Sequence, residues 1–432
     1  MKFQLPHPTV LRSTMRGVGS TPAGSRRPLG ARAAVALLLL FTQTLVTDNL
    51  AAQASRFLRV GVSNDYPPFS TTGEGFSRAV ATELAADLGF AGPLFVDFEW
   101  PGLEEDLLAG RFDMAISGIT WRVDRSVVGW MSEALAWGGP CVVWAKEVGA
   151  PPRVAVNRGG FLEDWVRSTL VVRKPGLEVR TTSNNLELPN LLSAGDVDGF
   201  VTDSFELRAF RGRAPADARV ECEPPSNAKV IWIAPHRAST LGPLVDEWID
   251  GHRTGLTVHR TEWLGEEPAP LSSASGLARR ERWRAVVDLI ARRQSFMVTV
   301  GQWKRERGLP IEDLEREAVV LGRSRDAAVD LGLDPEASED FFRGLIEWAK
   351  RLQEEQDARG FDLDLVSQVR PELLRLGDRI LQALQRAVSS GPPPWRTTLR
   401  SGSLPEEYVL LDRLADEQTQ VGLFETLNAF RP

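Results

Sequence analysis

The chain has 432 residues, enough for two or three domains. Its 43% hydrophobic and 25% charged residues are typical of globular proteins and exclude a disordered chain or a multi-span membrane protein. Four histidines and two cysteines are too few for a zinc ribbon, an iron–sulfur site or a disulfide-rich scaffold, and the net charge of −7 argues against a nucleic-acid partner.

Residues 1–54 have the pattern of a secretory signal peptide. Scattered arginines precede a short apolar run at residues 33–46, and the small residues at positions 52–54 provide a cleavage site. The run is shorter than the roughly 20 residues of a membrane span, and an uncleaved anchor is the alternative interpretation. We therefore expect a periplasmic or secreted protein that is not bound to the membrane after cleavage. In that compartment Cys141 and Cys222 are able to form a disulfide, although the sequence does not show that they are close.

From residue 55 to residue 264, short apolar runs alternate with amphipathic stretches. Strands are predicted at residues 58–62, 94–98 and 114–116, and helices at residues 76–88 and 103–108. This alternation indicates βαβ units on a parallel sheet. Residues 265–277 are rich in Pro, Ser and Ala and are predicted to be a linker.

Beyond the linker no strand pattern remains, and residues 278–432 are predicted to form an all-α bundle. The stretches with helical spacing are Arg279–Trp303, Pro310–Leu331, Ser338–Arg359, Pro371–Val388 and Glu406–Phe430. Pro310 and Pro371 stand where a first helical position is expected, because proline lacks an N–H that a helix start leaves unpaired anyway.

Two stretches of the α/β part combine the end of a strand with a polar loop. The first is Gly61–Ser70 (GVSNDYPPFS), and the second is Asp113–Thr120 (DMAISGIT), which leads into Arg125. An arginine close to the start of a helix offers a bidentate site for a carboxylate. A surface arginine that follows a helix cap is the alternative interpretation.

These stretches resemble the ligand-binding loops of periplasmic amino-acid-binding proteins. The resemblance implies a two-lobed, type II periplasmic-binding-protein-like α/β domain at residues 55–264, with its second lobe at about residues 146–230. It also implies a loop that holds the carboxylate of a ligand. The residues of that loop are Ser117, Gly118, Thr120 and Arg125.

Three further motifs resemble those of cyclohexadienyl dehydratases, which are enzymes built on the same fold. They are Glu99-Trp100-Pro101, Val156-Asn157-Arg158-Gly159-Gly160 and Thr202-Asp203-Ser204-Phe205-Glu206. The resemblance covers most of residues 59–264 and implies that Glu206 is a catalytic general acid. The substrate-binding residues that it implies for the cleft are Asp65, Tyr66, Trp100, Asn157 and Asp203.

The dehydration of prephenate needs an acid, because hydroxide is a poor leaving group. A carboxyl group that a dry cleft and the neighbouring Asp203 keep protonated provides the proton. The spacing of Asp203 and Glu206 also fits a helix capping box, which requires no catalysis. Phe161-Leu162 replaces a Thr-Asn pair of the family, so the choice between prephenate and arogenate stays open.

In the first helix of the bundle, Arg293 and Lys304 fall on the apolar face that includes Trp283 and Ile290. Because the eleven residues between them are close to three helical turns, both cations are predicted to point inward. Two buried cations need an anionic ligand or acidic partners. The alternative is that both side chains extend along the bundle and keep their charges in water.

The same region resembles the secreted, all-helical chorismate mutases. The resemblance rests on Leu309–Asp313 (LPIED) and on Phe341-Phe342 followed by Ala349–Gln353 (AKRLQ), and it spans about residues 278–432. It implies a pocket for a dianionic substrate that works without a metal or cofactor. The roles that it implies are Arg293, Arg316 and Arg379 as carboxylate clamps, Lys304 and Gln353 as donors to the ether oxygen, Glu317 at the ring hydroxyl and Asp313 as an orienting group.

Together, these resemblances imply a bifunctional exported enzyme of phenylalanine biosynthesis. The helical domain would convert chorismate into prephenate, and the α/β domain would convert prephenate into phenylpyruvate, or arogenate into phenylalanine. The expected partners are these small molecules alone, with no cofactor and no nucleic acid, and a homo-oligomer is left open. The alternative is an α/β domain that binds an amino acid or prephenate without chemistry. A sensor with an inert helical stalk would not explain Arg293 and Lys304.

Overall fold

The fold is that of a computed structural model, which describes residues 57–210, 212–266, 273–355, 360–396 and 416–431. All of them belong to one unit, Ala54–Pro432. The expected signal peptide, part of the expected linker and the first half of the fifth expected helix of the bundle lie outside the described residues. None of the described helices has the length and apolar character that a membrane span requires.

The described strands form two larger sheets and a small hairpin. The strands are β1 (Leu58–Val62), β2 (Asp65–Tyr66), β3 (Ser70–Thr71), β4 (Pro93–Asp97), β5 (Met114–Thr120), β6 (Trp130–Met131), β7 (Ala136–Gly138), β8 (Pro140–Trp144), β9 (Arg153–Asn157), β10 (Glu178–Thr182), β11 (Gly199–Asp203), β12 (Arg219–Cys222) and β13 (Asn227–Ile233). The first sheet has the order β4-β1-β5-β13-β6, and the second has the order β10-β9-β11-β8-β12. Each sheet is the centre of one lobe.

The helices flank the sheets and then form the C-terminal bundle. Those of the α/β part are α1 (Phe76–Asp87), α2 (Leu103–Leu108), α3 (Val123–Ser126), α4 (Phe161–Trp165), α5 (Val171–Arg173), α6 (Leu188–Ser193), α7 (Glu206–Phe210), α8 (Pro235–Gly251) and α9 (Arg253–His259). Those of the bundle are α10 (Ala274–Ser295), α11 (Met297–Glu306), α12 (Leu314–Asp330), α13 (Pro335–Glu354), α14 (Arg370–Ser390) and α15 (Glu417–Leu427).

The predicted βαβ units are present, but neither sheet is purely parallel. Strand β1 pairs in parallel with β4 and β5, whereas β13 pairs with β5 in the antiparallel direction. In the second sheet β9 is parallel to β10 and β11, and β8 is antiparallel to β11 and β12. Every residue of β5 and β13 is buried, as expected for strands covered on both faces. Cys141 on β8 and Cys222 on β12 are paired in register and form a disulfide.

Two differences between the described and the predicted helices of the bundle have a clear physical reason. The first expected helix is interrupted at Phe296, whose buried ring lies 6.2 Å from that of Trp121, centroid to centroid. The second begins at Leu314 and not at Pro310, because the carboxylate of Asp313 accepts a hydrogen bond from the backbone N–H of Arg316 at 3.1 Å and caps the helix. The loop before it therefore stays outside the helix.

The bundle packs against the first lobe through buried ion pairs. Arg379 of α14 lies 2.9 Å from the carboxylate of Asp246, and Glu133 pairs with both Arg253 and Arg386. The guanidinium of Arg379 also lies 4.8 Å from the ring of Trp130. Removing one partner of a buried ion pair leaves an uncompensated charge, which costs about 3–5 kcal/mol. The two domains are therefore held together by groups that depend on each other.

Candidate active sites

The first site is the cleft between the two lobes, which are in contact. The backbone N–H of Asn185 in the second lobe donates to the carboxylate of Asp65 at 3.2 Å, and Arg125 donates to the carbonyl of Gly159 at 3.4 Å. Between them lies a small cavity. Its lining residues are Tyr66, Trp100, Gly118, Thr120, Arg125, Asn157, Gly160, Phe161, Leu162 and Asn185.

Local backbone geometry shapes the second half of β5, which continues to Thr120 where the sequence predicted a loop after residue 116. Gly118 has a φ of +66°, and a Cβ at this position would lie 2.5 Å from the ring of Tyr66, so a larger side chain is excluded. The hydroxyl of Ser117 accepts a hydrogen bond from the backbone N–H of Ser63 at 2.8 Å. Ser117 is not among the residues that line the cavity. We conclude that Ser117 connects β5 to the residue that follows β1 and stabilises this part of the strand without lining the cavity.

Arg125 has the surroundings of an anion receptor. It is buried, and among the described residues no carboxylate forms an ion pair with it. Burial, followed by the nearby charge of Arg122, lowers the pKa of its guanidinium to about 10. A carboxylate that entered the cavity would relieve both effects, because an opposite charge stabilises the ionised guanidinium.

Glu206 is fully buried at the start of α7. Its Oε2 accepts hydrogen bonds from the hydroxyl of Thr202 at 2.6 Å and from the backbone N–H of Asp203 at 3.4 Å, whereas its Oε1 is buried without a hydrogen-bond partner. Burial, followed by the charges of Asp203 and Asp65, raises the pKa of Glu206 well above its usual range. The contact with Asp203 is one half of a capping box, so the capping and acid interpretations are compatible.

Tyr66 and Trp100 are two further residues with polar groups that line the cavity. The indole N–H of Trp100 donates to the carboxylate of Asp65 at 3.1 Å. Burial, together with the charges of Asp203 and Glu206, raises the pKa of the Tyr66 phenol well above its usual value, so the phenol stays protonated. The side-chain Oδ1 of Asn157 is buried without a hydrogen-bond partner. These groups are available to a polar ligand.

One residue of this site, Lys229, was missed by the sequence analysis. Its Nζ lies 2.6 Å from the carboxylate of Asp203 and donates to the hydroxyl of Thr120 at 2.9 Å. A lysine in the middle of the apolar strand β13 (NAKVIWI) is the signal that could have revealed it, because a buried lysine requires a partner.

The second site is a pocket inside the helical bundle. The residues predicted for it that line it are Arg293, Lys304, Asp313, Arg316, Glu317 and Gln353. Three further cationic residues line the same pocket, namely Arg323, Lys350 and Arg370. The rest of the wall is mainly aliphatic, with Val300, Ile346 and Leu365 among its members.

More cationic than acidic residues line this pocket. Burial and the charge of Arg316 lower the pKa of Arg293 to about 10, and Arg293 forms no ion pair with the described residues. Burial is also the main reason for the lowered pKa of Lys304, whose Nζ donates to the carbonyl of Ile311 at 2.5 Å. Arg293, a buried cation without an ion pair, together with the half-buried Lys304, indicates a site for an anionic ligand.

Two further polar residues that line the pocket, Glu317 and Gln353, are fixed by contacts with neighbouring residues. Glu317 forms an ion pair with Lys350 at 3.0 Å. The side-chain Nε2 of Gln353 donates to the carbonyl of Ala349 at 3.1 Å, and its Oε1 is buried without a hydrogen-bond partner. The amide of Gln353 is therefore fixed on α13 with one polar atom free to meet a ligand.

The placement of Arg379 corrects the sequence-based expectation. Arg379 does not line the pocket. Its Nη1 donates to the carbonyl of Met131 at 2.9 Å in the first lobe, as part of the interface with Asp246. Arg370, at the start of the same helix, lines the pocket and lies 3.9 Å from Asp313. Helix α14 packs against both the pocket and the first lobe, so an inward position alone does not define an active-site arginine.

We predict that Arg379→Ala lowers stability and leaves the pocket chemistry intact. The free energy of unfolding should fall by about 3–5 kcal/mol, because the variant leaves Asp246 buried without its partner. In the folded variant kcat/KM for chorismate should stay within about twofold of wild type, whereas Arg370→Ala should lower it by about 100-fold. Urea unfolding and steady-state kinetics measure both quantities. A large loss of chorismate turnover in folded Arg379→Ala would contradict this placement.

Comparisons with known proteins match both parts of the chain. Residues 284–354 match the family model for chorismate mutase type II. The chain is 30% identical over 247 residues to a cyclohexadienyl dehydratase from Pseudomonas aeruginosa, a match that covers 51% of this chain and 90% of that protein. It is 40% identical over 63 residues to the T-protein of Enterobacter agglomerans, which covers 15% of this chain and 17% of that protein.

Solved structures also match the α/β part. An ancestral amino acid-binding protein, described as a precursor of cyclohexadienyl dehydratase, is 24% identical with a TM-score of 0.43, covering 50% of this chain and 98% of that one. An ancestral arginine-binding protein bound to arginine is 22% identical with a TM-score of 0.44, covering 48% of this chain and 97% of that one.

The cleft and the pocket define a two-lobed, binding-protein-like α/β domain followed by a helical domain with an anion-binding interior. The chain belongs to the cyclohexadienyl dehydratase family and carries a chorismate mutase type II domain on its C-terminal side. Both resemblances inferred from the sequence are thus confirmed, and both enzyme classes are represented on one chain.

Proposed function

We propose that this protein performs two consecutive reactions in the compartment to which it is exported: chorismate becomes prephenate in the helical pocket, and prephenate becomes phenylpyruvate in the cleft. The observation that carries the proposal is Glu206, a buried carboxyl group with a raised pKa and an unpartnered Oε1, whose charge acts on Tyr66 in the wall of the cavity. A domain that only binds a ligand has no need for a protonated acid at this place.

In the helical pocket, the protein acts through orientation and electrostatics. Chorismate rearranges through a cyclic transition state in which a C–O bond breaks while a C–C bond forms. In this proposal Arg293, Arg316 and Arg370, which line the pocket, hold its two carboxylates in the compact reactive conformer. Lys304 donates to the ether oxygen as negative charge grows on it, and Gln353 joins it after its amide turns, because its Nε2 donates to the carbonyl of Ala349 in the unliganded pocket. No nucleophile or proton transfer is required.

In the cleft, Glu206 delivers the proton that makes the ring hydroxyl leave as water. The C–C bond to the ring carboxylate breaks at the same time, and its electron pair enters the ring as the C–O bond is lost. The products are phenylpyruvate, CO2 and water, and the proton comes from Glu206. Arg125 holds one of the substrate carboxylates, while Tyr66 and Asn157 bind polar groups of the guest.

A time course with purified wild-type protein and chorismate tests this proposal. Prephenate should rise and then fall while phenylpyruvate accumulates, at about pH 8, where prephenate alone is stable. Chorismate that stops at prephenate would favour the second candidate, an α/β domain that binds without chemistry.

The pH dependence should separate the two reactions. Because only protonated Glu206 is active and its pKa is raised, dehydratase kcat/KM should be high below that pKa and fall about tenfold per pH unit above it. The mutase rate should be constant between about pH 6 and 8, because Gln353 is neutral, and should fall at higher pH as Lys304 loses its proton. A dehydratase rate that rises with pH would contradict the acid role.

A further inference from the structure

We infer that the first lobe binds a divalent transition-metal ion, with Zn²⁺ as the best match, at a site formed by Glu83, Asp87 and His252. The site lies where the end of α1 meets the junction between α8 and α9. One potential ligand atom of each of the three residues lies within 4.8 Å of the others. None of the three residues lines the cleft cavity or the pocket of the bundle, so the site is separate from both proposed reactions.

Negative charge is concentrated at the end of α1. Glu83 and Asp87 are four residues apart in this helix, so their carboxylates lie on the same face of it. Like charges at this spacing repel each other, and the C-terminal end of a helix carries a partial negative charge of its own. The last turn of α1 contains no basic residue that would compensate for these charges. A cation supplied from outside the helix removes this unfavourable interaction.

His252 faces Asp87 in an arrangement that requires a cation between them. Nδ1 of His252 lies 2.8 Å from the backbone carbonyl oxygen of Trp248, and because this oxygen can only accept a hydrogen bond, Nδ1 carries a proton. Nε2 of the same ring lies 3.0 Å from Oδ2 of Asp87. A neutral imidazole that is protonated at Nδ1 presents a lone pair at Nε2, and two acceptors at this distance repel each other. Either a second proton or a metal ion must therefore lie between them.

Neighbouring side chains orient the three ligands. The ring of Trp248 stacks on that of His252 with a centroid separation of 4.4 Å, and its indole N–H donates to Oδ2 of Asp87 at 2.8 Å. Nε2 of His259 lies 2.7 Å from Oε2 of Glu83 and holds this carboxylate by one of its two oxygens. Outer contacts of this kind fix the orientation of metal ligands and are typical of metal sites.

The chemistry of the ligands selects among metal ions. One imidazole nitrogen and two carboxylates form a mixed set that suits Zn²⁺, whereas Mg²⁺ and Ca²⁺ prefer oxygen ligands alone. The side chains of Glu83, Asp87 and His252 are 38%, 42% and 35% exposed, so an ion can enter from solvent and water can complete its coordination. Because the ion connects α1 to α8 and α9, it stabilises the folded first lobe.

Calorimetric titration of the purified, EDTA-treated protein with ZnCl₂ tests this inference, at about pH 8 because metal ligands bind in their deprotonated form. We expect saturable binding of about one Zn²⁺ per chain, with Mg²⁺ at least about tenfold weaker. With free Zn²⁺ at about 100 times its Kd, the apparent Tm should rise by at least about 3 °C. The absence of saturable Zn²⁺ binding below about 1 mM would overturn the inference and leave protons as the cations between these groups.

The variant His252→Asn locates the ion. Asparagine is able to donate an N–H to the carbonyl of Trp248 but has no group in the place of Nε2. The loss of an outer contact alone weakens metal binding by about 10–100-fold, so the loss of a ligand should raise the Kd for Zn²⁺ by at least about tenfold and abolish the gain in Tm. If His252→Asn does not fold, Asp87→Asn, at an exposed position, should show the same loss. An unchanged Kd in the folded variant would overturn the inference.

The matched control is His236→Asn, which makes the same substitution in the same lobe. His236 lies 3.5 Å from the carboxylate of Asp113, but Arg59 lies 2.9 Å from that carboxylate and already supplies its cation. The control should bind Zn²⁺ with the same Kd as the wild-type protein. A loss of affinity as large as that of His252→Asn would show that Zn²⁺ binds elsewhere and would overturn the proposed site.

Discussion

Glu206→Gln is expected to abolish phenylpyruvate formation from prephenate, with a loss in kcat of about 1,000-fold or more, while chorismate turnover stays unchanged. Glutamine fills the same volume and its amide oxygen still accepts from the backbone N–H of Asp203, so the helix start is preserved. What the variant lacks is the proton, and general acids typically contribute about 10²–10⁴-fold. Steady-state assays of both reactions on one preparation measure the effect.

The matched control for this variant is Glu178→Gln, an exposed glutamate at the start of β10 in the same lobe. It makes the same chemical change far from the cavity and should retain both activities. If Glu206→Gln kept more than about a tenth of the dehydratase rate, Glu206 would be a helix cap and not the acid. The substitution therefore decides between the two interpretations of the Asp203–Glu206 spacing.

Lys304→Met is expected to lower the mutase kcat by about 1,000-fold and to leave prephenate turnover intact. Methionine keeps the length of the side chain. It removes the positive charge and the hydrogen-bond donor that, in our proposal, face the ether oxygen of chorismate. Removing one preorganised donor from a site without water lowers kcat by about 10²–10³-fold. Because Lys304→Met also removes a full charge, we expect its effect on kcat at the upper end of this range. The rate of chorismate disappearance at saturating substrate measures this directly.

Arg343→Met is the matched control for Lys304→Met. Arg343 is an exposed cation on α13 that pairs with Glu339 at the surface. The control removes one positive charge from the same bundle without touching the pocket, and exposed ion pairs of this kind contribute about 0–1 kcal/mol to stability. Comparable losses in the two variants would show that net charge, and not the placement of Lys304, drives the reaction.

The sequence predicts those parts of the sites that depend on local patterns. The polar residues from Ser117 to Thr120 directly follow an apolar run, although they belong to the same strand, β5. Helical periodicity directs Arg293 and Lys304 to one pocket, although the helix is interrupted between them at Phe296. The cavity-lining and pocket-lining positions of most expected residues follow from these patterns. The antiparallel placement of β13 joins segments that are distant in the chain, so periodicity alone does not reveal it.

The expectation for Arg379 failed because it concerned packing between domains. Helix α14 is amphipathic, but its buried side faces two different partners, the pocket at Arg370 and the first lobe at Arg379. A helical wheel shows which residues are inward and does not show what lies opposite. The same limit applies to Lys229, whose partner Asp203 is on another strand and in the other sheet.

The most direct test of two separate active sites on one chain is a mixing experiment with chorismate as the only substrate. Glu206→Gln alone should stop at prephenate, and Lys304→Met alone should leave chorismate unconverted. An equimolar mixture of the two variants should form phenylpyruvate at about pH 8. A mixture that forms no phenylpyruvate, or a single variant that forms it as fast as the wild-type protein, would contradict the account.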